Sequence, residues 1–405
     1  MKIPYFMKNL VKLAIVTVLI TSCSSNKQQE DGLPFIDVSK NYPEKEILLT
    51  GIADVTYLYL NSDDADYLYK GGIHNITENT VVVVDNVSSS ILFFAKDGTA
   101  KSYFNHKGQG PGEYTEIRTV VYDETTDELF VTTYSMPYGI QVYSSVGDYK
   151  RTIKLPRETL IEELIVFDDH SLFFRDGAIE FRRSMALLRK EDLPADDYVI
   201  PFYRISKTDG EVLDYVELPG THLLLGGNYN GRWISVLLRY SMKCPEGVLL
   251  WNAQTDTVFF YRGDKSLTPV IYQTPSVSSL NPMEYLTLCL DRGQYQFIQV
   301  TIAREGIHPG FFPVKNYLRD KKTGEIIRPK FLLPDYEGKE FTIDPSASNA
   351  VGKFYNEGYY FELNLYELKE ADRAGKLSGQ LKDLVATLDE NNDNNVFMLV
   401  EFKSN

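Results

Sequence analysis

The sequence predicts an all-β protein, because short β-forming runs and turn residues alternate along most of its 405 residues. From residue 47 onward, runs rich in Val, Ile, Tyr, Phe and Thr, such as residues 80–84 and 128–134, are separated by Asp, Asn and Gly. Runs of this kind at close intervals are typical of antiparallel sheets and not of βαβ units. A β-sandwich of two or more domains is the alternative architecture.

An internal repeat favours a β-propeller over the sandwich. Around the turn glycine Gly98, apolar residues lie seven and five residues before it and six after it, and the same offsets are apolar around Gly147 and Gly210. A degenerate copy surrounds Gly324, and a turn without glycine lies near residue 255. These turns are 45 to 69 residues apart, a spacing that suits four-stranded propeller blades with insertions.

The end of the chain supplies a sixth blade. Residues 359–366 and 396–402 are predicted strands, and residues 371–388 between them carry Leu and Val at helical spacing. The strand at 52–60 has no partner within the first predicted blade, so we expect it to complete the last blade and close the ring. The prediction is a six-bladed β-propeller of four-stranded antiparallel blades, with one helix inserted in the last blade.

The N-terminus predicts export. Three lysines precede the apolar residues 13–20, a run too short to span a bilayer as a mature helix. The run ends in Ile20-Thr21-Ser22-Cys23, which resembles a bacterial lipobox; a buried helix with a stray cysteine is the alternative. We therefore expect residues 1–22 to be a lipoprotein signal peptide, Cys23 to carry the lipid, residues 23–46 to be a flexible lipidated spacer and residues 47–405 to form the propeller domain.

The charge of the chain limits its partners. Removing the signal peptide, with its three lysines and no acidic residue, lowers the formal net charge from −14 to −17. A nucleic-acid partner is excluded, because binding a phosphate backbone needs a basic surface. The 43% hydrophobic content is ample for a packed core. We expect a monomer at the cell envelope, held to the outer membrane by its lipid at the periplasmic face or the cell surface.

Local motifs indicate neither a metal nor a cofactor. The five histidines are scattered without an i, i+4 pair, and residues 389–393 mimic a calcium loop in which Asn394 and Val400 replace the required glycine and glutamate. The sequence lacks a Gly-x-Ser-x-Gly elbow and a His-Glu-x-x-His helix. Cys244 and Cys289 remain in the mature chain, either as two separate thiols or as one bridge.

Four segments together resemble a known family. They are the entry strand at 52–58, the glycine-rich loop at 108–114, the blade start at 117–120, and the C-terminal leucine-rich helix that runs into residues 389–395. The chain resembles the six-bladed β-propeller lipoproteins of Bacteroides-type gut bacteria, a family of unknown function; Asn395 stands where the family pattern has proline. The resemblance implies an architecture and a location, and no activity.

The glycine-rich loop is the most specific of these segments. Its glycines would let backbone N–H groups approach an anion or a sugar. A phosphate cradle, however, is followed by a helix, whereas this loop leads into a strand. We therefore favour a structural role in the crossing between two blades for Gly108, Gln109, Gly110, Pro111, Gly112, Glu113 and Tyr114.

Two aromatic and arginine-rich stretches, in the third and fourth units, are the candidate ligand site. Aromatic faces and guanidinium groups suit glycan rings and carboxylates, and long blade insertions often carry function. Ordinary blade packing with salt bridges is the alternative. The candidate ligand-binding residues are Arg175, Arg182, Arg183, Tyr229, Arg232 and Trp233.

These observations favour a non-catalytic binding or scaffolding module at the cell envelope, with a glycan, a peptide or a partner protein as its ligand. The alternative is a hydrolase or lyase that acts on extracellular polysaccharide with groups drawn from several blades. Two carboxylates, or histidine with arginine and tyrosine, at one mouth of the ring would favour the enzyme.

Overall fold

Antiparallel strands dominate the structure, a computed structural model that describes residues 32–61, 65–133, 139–155, 159–189, 201–218, 226–229, 232–235, 240–304, 312–343, 354–355, 358–390 and 393–403. The predicted signal peptide and Cys23 lie outside the described residues. In chain order the strands are β1 (Phe35–Asp37), β2 (Glu44–Leu48), β3 (Ala53–Tyr59), β4 (Gly71–Ile76), β5 (Thr80–Asp85), β6 (Ile91–Ala95), β7 (Ala100–Phe104), β8 (Ile117–Asp123), β9 (Glu128–Thr133), β10 (Gly139–Tyr143), β11 (Tyr149–Lys154), β12 (Ile161–Val166), β13 (Ser171–Asp176), β14 (Pro201–Ser206), β15 (Val212–Glu217), β16 (Gly226–Tyr229), β17 (Arg232–Ser235), β18 (Ser241–Cys244), β19 (Gly247–Leu250), β20 (Thr257–Tyr261), β21 (Leu267–Thr274), β22 (Met283–Arg292), β23 (Tyr295–Ala303), β24 (Val314–Asp320), β25 (Ile326–Leu333), β26 (Tyr336–Phe341), β27 (Phe354–Tyr355), β28 (Gly358–Leu363) and β29 (Val396–Phe402). The helices are α1 (Leu49–Ile52), α2 (Ala178–Arg189), α3 (Leu365–Arg373) and α4 (Gly379–Thr387).

Six sheets form the blades of a propeller. Blade 1 contains β4 to β7, blade 2 β8 to β11, blade 3 β12 to β15, blade 4 β18 to β21 and blade 5 β22 to β25. Blade 6 combines β27, β28 and β29 with β3, which pairs antiparallel with β29 from Tyr59 opposite Val396 to Ala53 opposite Phe402. The predicted all-β propeller and its closure by the N-terminal strand are confirmed.

The core lies between neighbouring blades, which explains the unbroken apolar runs in the sequence. In β5, Val83 belongs to a buried cluster with Phe397 of blade 6, whereas its neighbour Val82 belongs to a cluster with Val120 of blade 2. Each blade is thus covered on both faces, and alternation between apolar and polar residues disappears. Full burial of one such valine stabilises the fold by roughly 1.5–3 kcal/mol.

The repeated glycines join the third and fourth strands of blades 1, 2, 3 and 5. Gly98, Gly147, Gly210 and Gly324 have φ angles of 91°, 92°, 82° and 75°, a region that residues with a Cβ rarely adopt. The predicted turn near 255 joins the second and third strands of blade 4 instead. Its equivalent in that blade is Gly263, with a φ angle of 92°.

The start of the folded domain differs from the prediction. Residues 34–46, predicted as part of a flexible spacer, belong to the folded unit. β1 pairs in parallel with β21 of blade 4, and β2 pairs in parallel with β25 of blade 5. Ile36 and Val38 are buried, so this segment is anchored by apolar packing as well as by strand pairing. We call residues 34–48 the strap, and the domain boundary moves from 47 to about 34.

The last blade carries two helices where one was predicted. α3 and α4 are separated by a reversal at Gly375, whose φ angle is 72°. The carboxamide of Asn364 caps α3 by accepting the Glu367 N–H at 3.1 Å. A further helix, α2, is inserted between the second and third strands of blade 3. In the described part of the chain, no helix has the length and apolarity needed to cross a membrane.

Candidate functional site

The connections between strands lie at two ends of the ring, because neighbouring strands of a blade run in opposite directions. Turns from first to second and from third to fourth strands lie at one end, which we call the turn end. Loops from second to third strands and the crossings to the next blade lie at the other, which we call the loop end. The loop end therefore carries the glycine-rich loop, α2, the hairpin β16–β17, α3 and α4.

The glycine-rich loop is held by its own side chains. The Gly110 N–H donates to the Glu113 carboxylate at 2.7 Å, and this carboxylate lies where a Cβ on Gly108 would be placed. The buried Tyr114 donates its hydroxyl to the Ser89 carbonyl of blade 1 at 2.9 Å. Because a carboxylate of the loop itself fills the backbone cradle, the geometry supports the structural role in the blade crossing.

Parts of the two predicted ligand-binding stretches lie side by side at the loop end. α2, which carries Arg182 and Arg183, lies against β17 of the hairpin that contains Tyr229, Arg232 and Trp233. Arg182 is exposed, whereas the side chains of the other four fall outside the described residues. Their role in ligand binding stays a prediction.

Arg175 is buried in an ion pair. Its Nε lies 2.9 Å from Oε1 of Glu163 on the neighbouring strand, with 1% of the Arg175 side chain exposed. Glu163 also accepts the N–H groups of Tyr240 and Ser241, at 2.8 and 2.9 Å, where the chain enters blade 4. This placement gives Arg175 a structural role between blades 3 and 4, and its ligand-binding role stays a prediction.

A central cavity of about 380 Å³ opens at the turn end. Its wall comes from the inner strands β4, β8, β12 and β18 and their turns, together with Leu290 of blade 5. Such a volume lies within the range of small-molecule sites. Its charged or imidazole-bearing lining residues are His74, Glu78, Asp123, Glu124, Asp168, Asp169 and Lys243.

His74 is placed by a β-bulge in the inner strand of blade 1. Blades 2 and 3 have equivalent inner-strand bulges at Arg118 and Glu162, and these two side chains form a largely buried ion pair. The His74 Nδ1, in contrast, has neither solvent contact nor a hydrogen-bond partner among the described residues. Burial lowers the pKa of His74 to about 4, so its imidazole is neutral at pH 7.

Three carboxylates of the cavity hold the turns in place. Asp123 lies 2.6 Å from the Lys207 ammonium, and both side chains are buried. Glu124 accepts the Thr80 hydroxyl at 2.5 Å, and Asp168 accepts the Ser171 hydroxyl at 2.7 Å.

These hydrogen bonds keep the three carboxylates ionised. Burial alone raises the pKa of each group, but other interactions together outweigh it. In Asp123 these come from the Lys207 ammonium, the Thr126 hydroxyl and the Thr125 N–H, and in Glu124 and Asp168 mainly from hydroxyl and backbone donors. The pKa of each is therefore lowered from its ordinary value. Among the described residues, no cluster of three or more His, Cys, Asp or Glu side chains is placed to hold a metal ion.

Two further carboxylates and one lysine complete the mouth. Glu78 and Asp169 are exposed. The Lys243 ammonium lies 5.0 Å from the Phe167 ring centroid and donates to the Phe167 carbonyl. Burial lowers the pKa of Lys243. The mouth is therefore predominantly acidic.

Sequence reasoning missed this cavity because no local motif marks it. Its residues come from five blades and lie between positions 74 and 290. In the sequence, His74 is one of five scattered histidines. A bulge depends on the register between two strands, so the sequence alone does not show that His74 faces the axis.

Comparisons with known proteins agree with the fold. Residues 24–200 match the family model DUF5128, described as a 6-bladed beta-propeller. A crystal structure from Bacteroides fragilis, described as that of a candidate exported protein, is 15% identical, with a TM-score of 0.59 over 89% of this chain and 99% of that chain. A member of the DUF4221 family from Bacteroides vulgatus is 10% identical, with a TM-score of 0.46 over 87% of this chain and 98% of that chain. No curated protein matches.

Proposed function

We propose that this protein is an exported, lipid-anchored propeller that binds a small polar ligand in its central cavity without transforming it. The observation that carries the proposal is the His74 imidazole, which lines a cavity of about 380 Å³ and lacks a partner for its Nδ1 among the described residues. An unpaired buried polar group costs roughly 1–3 kcal/mol, so its presence in the wall of a cavity needs an explanation.

The location rests on the N-terminal sequence. A basic start, a short apolar run and a lipobox-like cleavage site occur in order before Cys23. Two or more acyl chains would anchor the mature protein stably. The resemblance in fold to a candidate exported protein is consistent with this location.

Binding is favoured over catalysis by the ionisation of the cavity groups. General acid–base catalysis needs a group that exchanges protons near the working pH. The pKa values of Asp123, Glu124 and Asp168 are lowered, so these groups are poor proton donors at neutral pH. The pKa of His74 is about 4, which makes its imidazole a weak base.

The enzyme alternative has one observation in its favour. Carboxylates, a tyrosine and a histidine do line one mouth of the ring, as Asp123, Glu124, Tyr122 and His74. A hydrolase or lyase that uses them would release product from an extracellular polysaccharide. Product formation that disappears in His74→Asn would replace the binding proposal with the enzyme.

The test is a screen of glycans and small polar ligands on the chain from residue 24, with binding measured by calorimetry. We expect His74→Asn to weaken the affinity of a captured ligand at least about fivefold, the effect of losing one hydrogen bond. His170→Asn is the matched control, because His170 is an exposed histidine at the same end. A ligand whose affinity falls in Arg182→Ala and not in His74→Asn would place the site at the loop end instead.

A further inference from the structure

The wall of the central cavity is rich in hydrogen-bond acceptors. The inner strands β4, β8, β12 and β18 pair with a neighbour on one edge only, so the backbone groups of their other edge face the axis. One inward N–H, that of Tyr122, is already taken by the Asn75 side-chain oxygen at 3.0 Å. The remaining polar lining is dominated by carboxylate oxygens.

The charges at the mouth are unequal. Five carboxylates line the cavity, those of Glu78, Asp123, Glu124, Asp168 and Asp169, against the single ammonium of Lys243. That ammonium is directed to the carbonyl and the ring of Phe167. A negative mouth in a concave wall attracts and concentrates cations.

Two of these carboxylates remain available. Asp123 and Asp168 face the cationic side chains Lys207 and Arg204, at 2.6 and 3.7 Å. Glu78 and Asp169, on blades 1 and 3, are exposed and have no partner among the described residues. They stand on two sides of the same opening.

We infer that the cavity recognises a small amine-bearing ligand, such as an amino sugar or a diamine, whose ammonium group lies at the mouth beside Glu78 or Asp169 while its polar body extends toward His74. This inference rests on the proposed function and names its ligand class. The His74 imidazole in the same wall is the second observation beside the acidic mouth. Its Nδ1 has no partner among the described residues, and because the ring is neutral at pH 7 it adds no charge that would repel the cation.

The experiment compares each amine with its N-acetylated form, which has nearly the same shape without the charge. Glucosamine and 1,5-diaminopentane, and their N-acetylated derivatives, are titrated into the chain from residue 24 by calorimetry at two salt concentrations. We expect the amines to bind more tightly than their acetylated forms, and the difference to shrink at the higher salt concentration.

A double variant tests the two carboxylates. Glu78→Gln with Asp169→Asn should weaken amine binding at least about threefold, as expected for exposed ion pairs. Both residues are exposed, so the variant should fold, which circular dichroism checks. Glu325→Gln with Glu370→Gln removes the same charge from two exposed positions away from the cavity and should leave binding unchanged.

Equal binding of the amines and their acetylated forms, or unchanged amine binding in the Glu78/Asp169 variant, would overturn the inference. If a neutral or anionic ligand is bound instead and loses affinity in His74→Asn, the amine class is wrong and the binding function stands. If no captured ligand depends on His74, both fail.

Discussion

Two properties of His74 bear on the central cavity. Its Nδ1 is shielded from solvent without a hydrogen bond to the described residues, and its ring belongs to the wall of an open cavity. The equivalent bulges of blades 2 and 3 are occupied by Arg118 and Glu162, which neutralise one another. Of these three bulges, the one in blade 1 therefore carries a side chain that forms no ion pair with the equivalent residue of a neighbouring blade.

The burial of His74 predicts a pH dependence of the free energy of unfolding. The pKa of His74 is about 4 in the folded protein and 6.5 in an unfolded chain. Between these values the unfolded state binds the proton and the folded state does not, so the free energy of unfolding falls as the pH drops from 6.5 to 4. The full loss is at most about 3 kcal/mol.

Chemical denaturation at a series of pH values measures this effect. We expect His74→Asn to flatten the decline between pH 6.5 and 4, whereas His170→Asn should keep it. Carboxylates with lowered pKa values, such as Asp123, lose their contribution only as the pH falls further, through their folded pKa. An unchanged slope in His74→Asn would show that the imidazole titrates freely in the folded protein.

The residues of the site were the least predictable part of the molecule. The sequence predicted a ligand site at arginines and aromatic residues in the insertions, because these residues are clustered within short segments of the chain. Arg175 proved to be buried against Glu163, a contact between strands whose register cannot be read from composition. The cavity depends on side chains from separate blades, so its members become neighbours only after the ring has closed.

At the scale of elements, the strap is the largest departure from the sequence prediction. Its polar residues 40–46 suggested a flexible spacer, yet Ile36 and Val38 beside them are buried. The strap adds parallel outer strands to blades 4 and 5 before β3 enters blade 6. One N-terminal segment therefore pairs with three successive blades.

Ile36→Ala tests whether the strap stabilises the domain. Ile36 is fully buried, so the substitution should lower the free energy of unfolding by about 2–5 kcal/mol. Leu48→Ala is the control within the same strap, because 54% of Leu48 is exposed; its effect should stay within about 0.5 kcal/mol. Urea denaturation of the chain from residue 24 measures both. If Ile36→Ala lowered the free energy of unfolding as little as Leu48→Ala does, residues 34–46 would behave as the flexible spacer that the sequence suggested.

Elements with a local signal were predicted well, and elements that depend on a distant partner were not. The run of four valines at Thr80–Asp85 indicated a strand. In the structure all four valines are buried between blades. The positive φ angles at Gly98, Gly147 and Gly210 explain why glycine recurs there. A parallel strand such as β1 is not joined to its partner by a short turn, so the sequence does not indicate the pairing. The chain reversal at Gly375 was not predicted because the leucines on both sides of it continue one helical pattern.

At the scale of the whole molecule, the ring is closed by the contact between blades 6 and 1, which we call the seam. The N-terminal strand β3 supplies the outer edge of blade 6, and the next residues run directly to blade 1. The Asn61 N–H donates to the Gly98 carbonyl at 2.9 Å, the Tyr360 hydroxyl donates to the Ile73 carbonyl at 3.1 Å, and Lys96 lies 2.8 Å from Glu401. The N-terminal strand β3 and the C-terminal strand β29 of blade 6 are thus both tied to blade 1 at this seam.

Gly98 is the position at which this seam can be tested by a single methyl group. A Cβ on Gly98 would lie 1.9 Å from the Tyr59 carbonyl oxygen of β3, whereas no described atom lies within 4 Å of the Cβ position on Gly324. Both glycines have positive φ angles, 91° and 75°, so Gly324→Ala measures the backbone cost alone, about 1 kcal/mol. Gly98→Ala adds the displacement of β3 from blade 1, and overpacking of this kind costs about 1–3 kcal/mol more. We therefore expect Gly98→Ala to lower the urea midpoint clearly further than Gly324→Ala. Equal midpoints would mean that β3 does not lie against blade 1 as closely as the structure shows, and the closed ring would then need another seam.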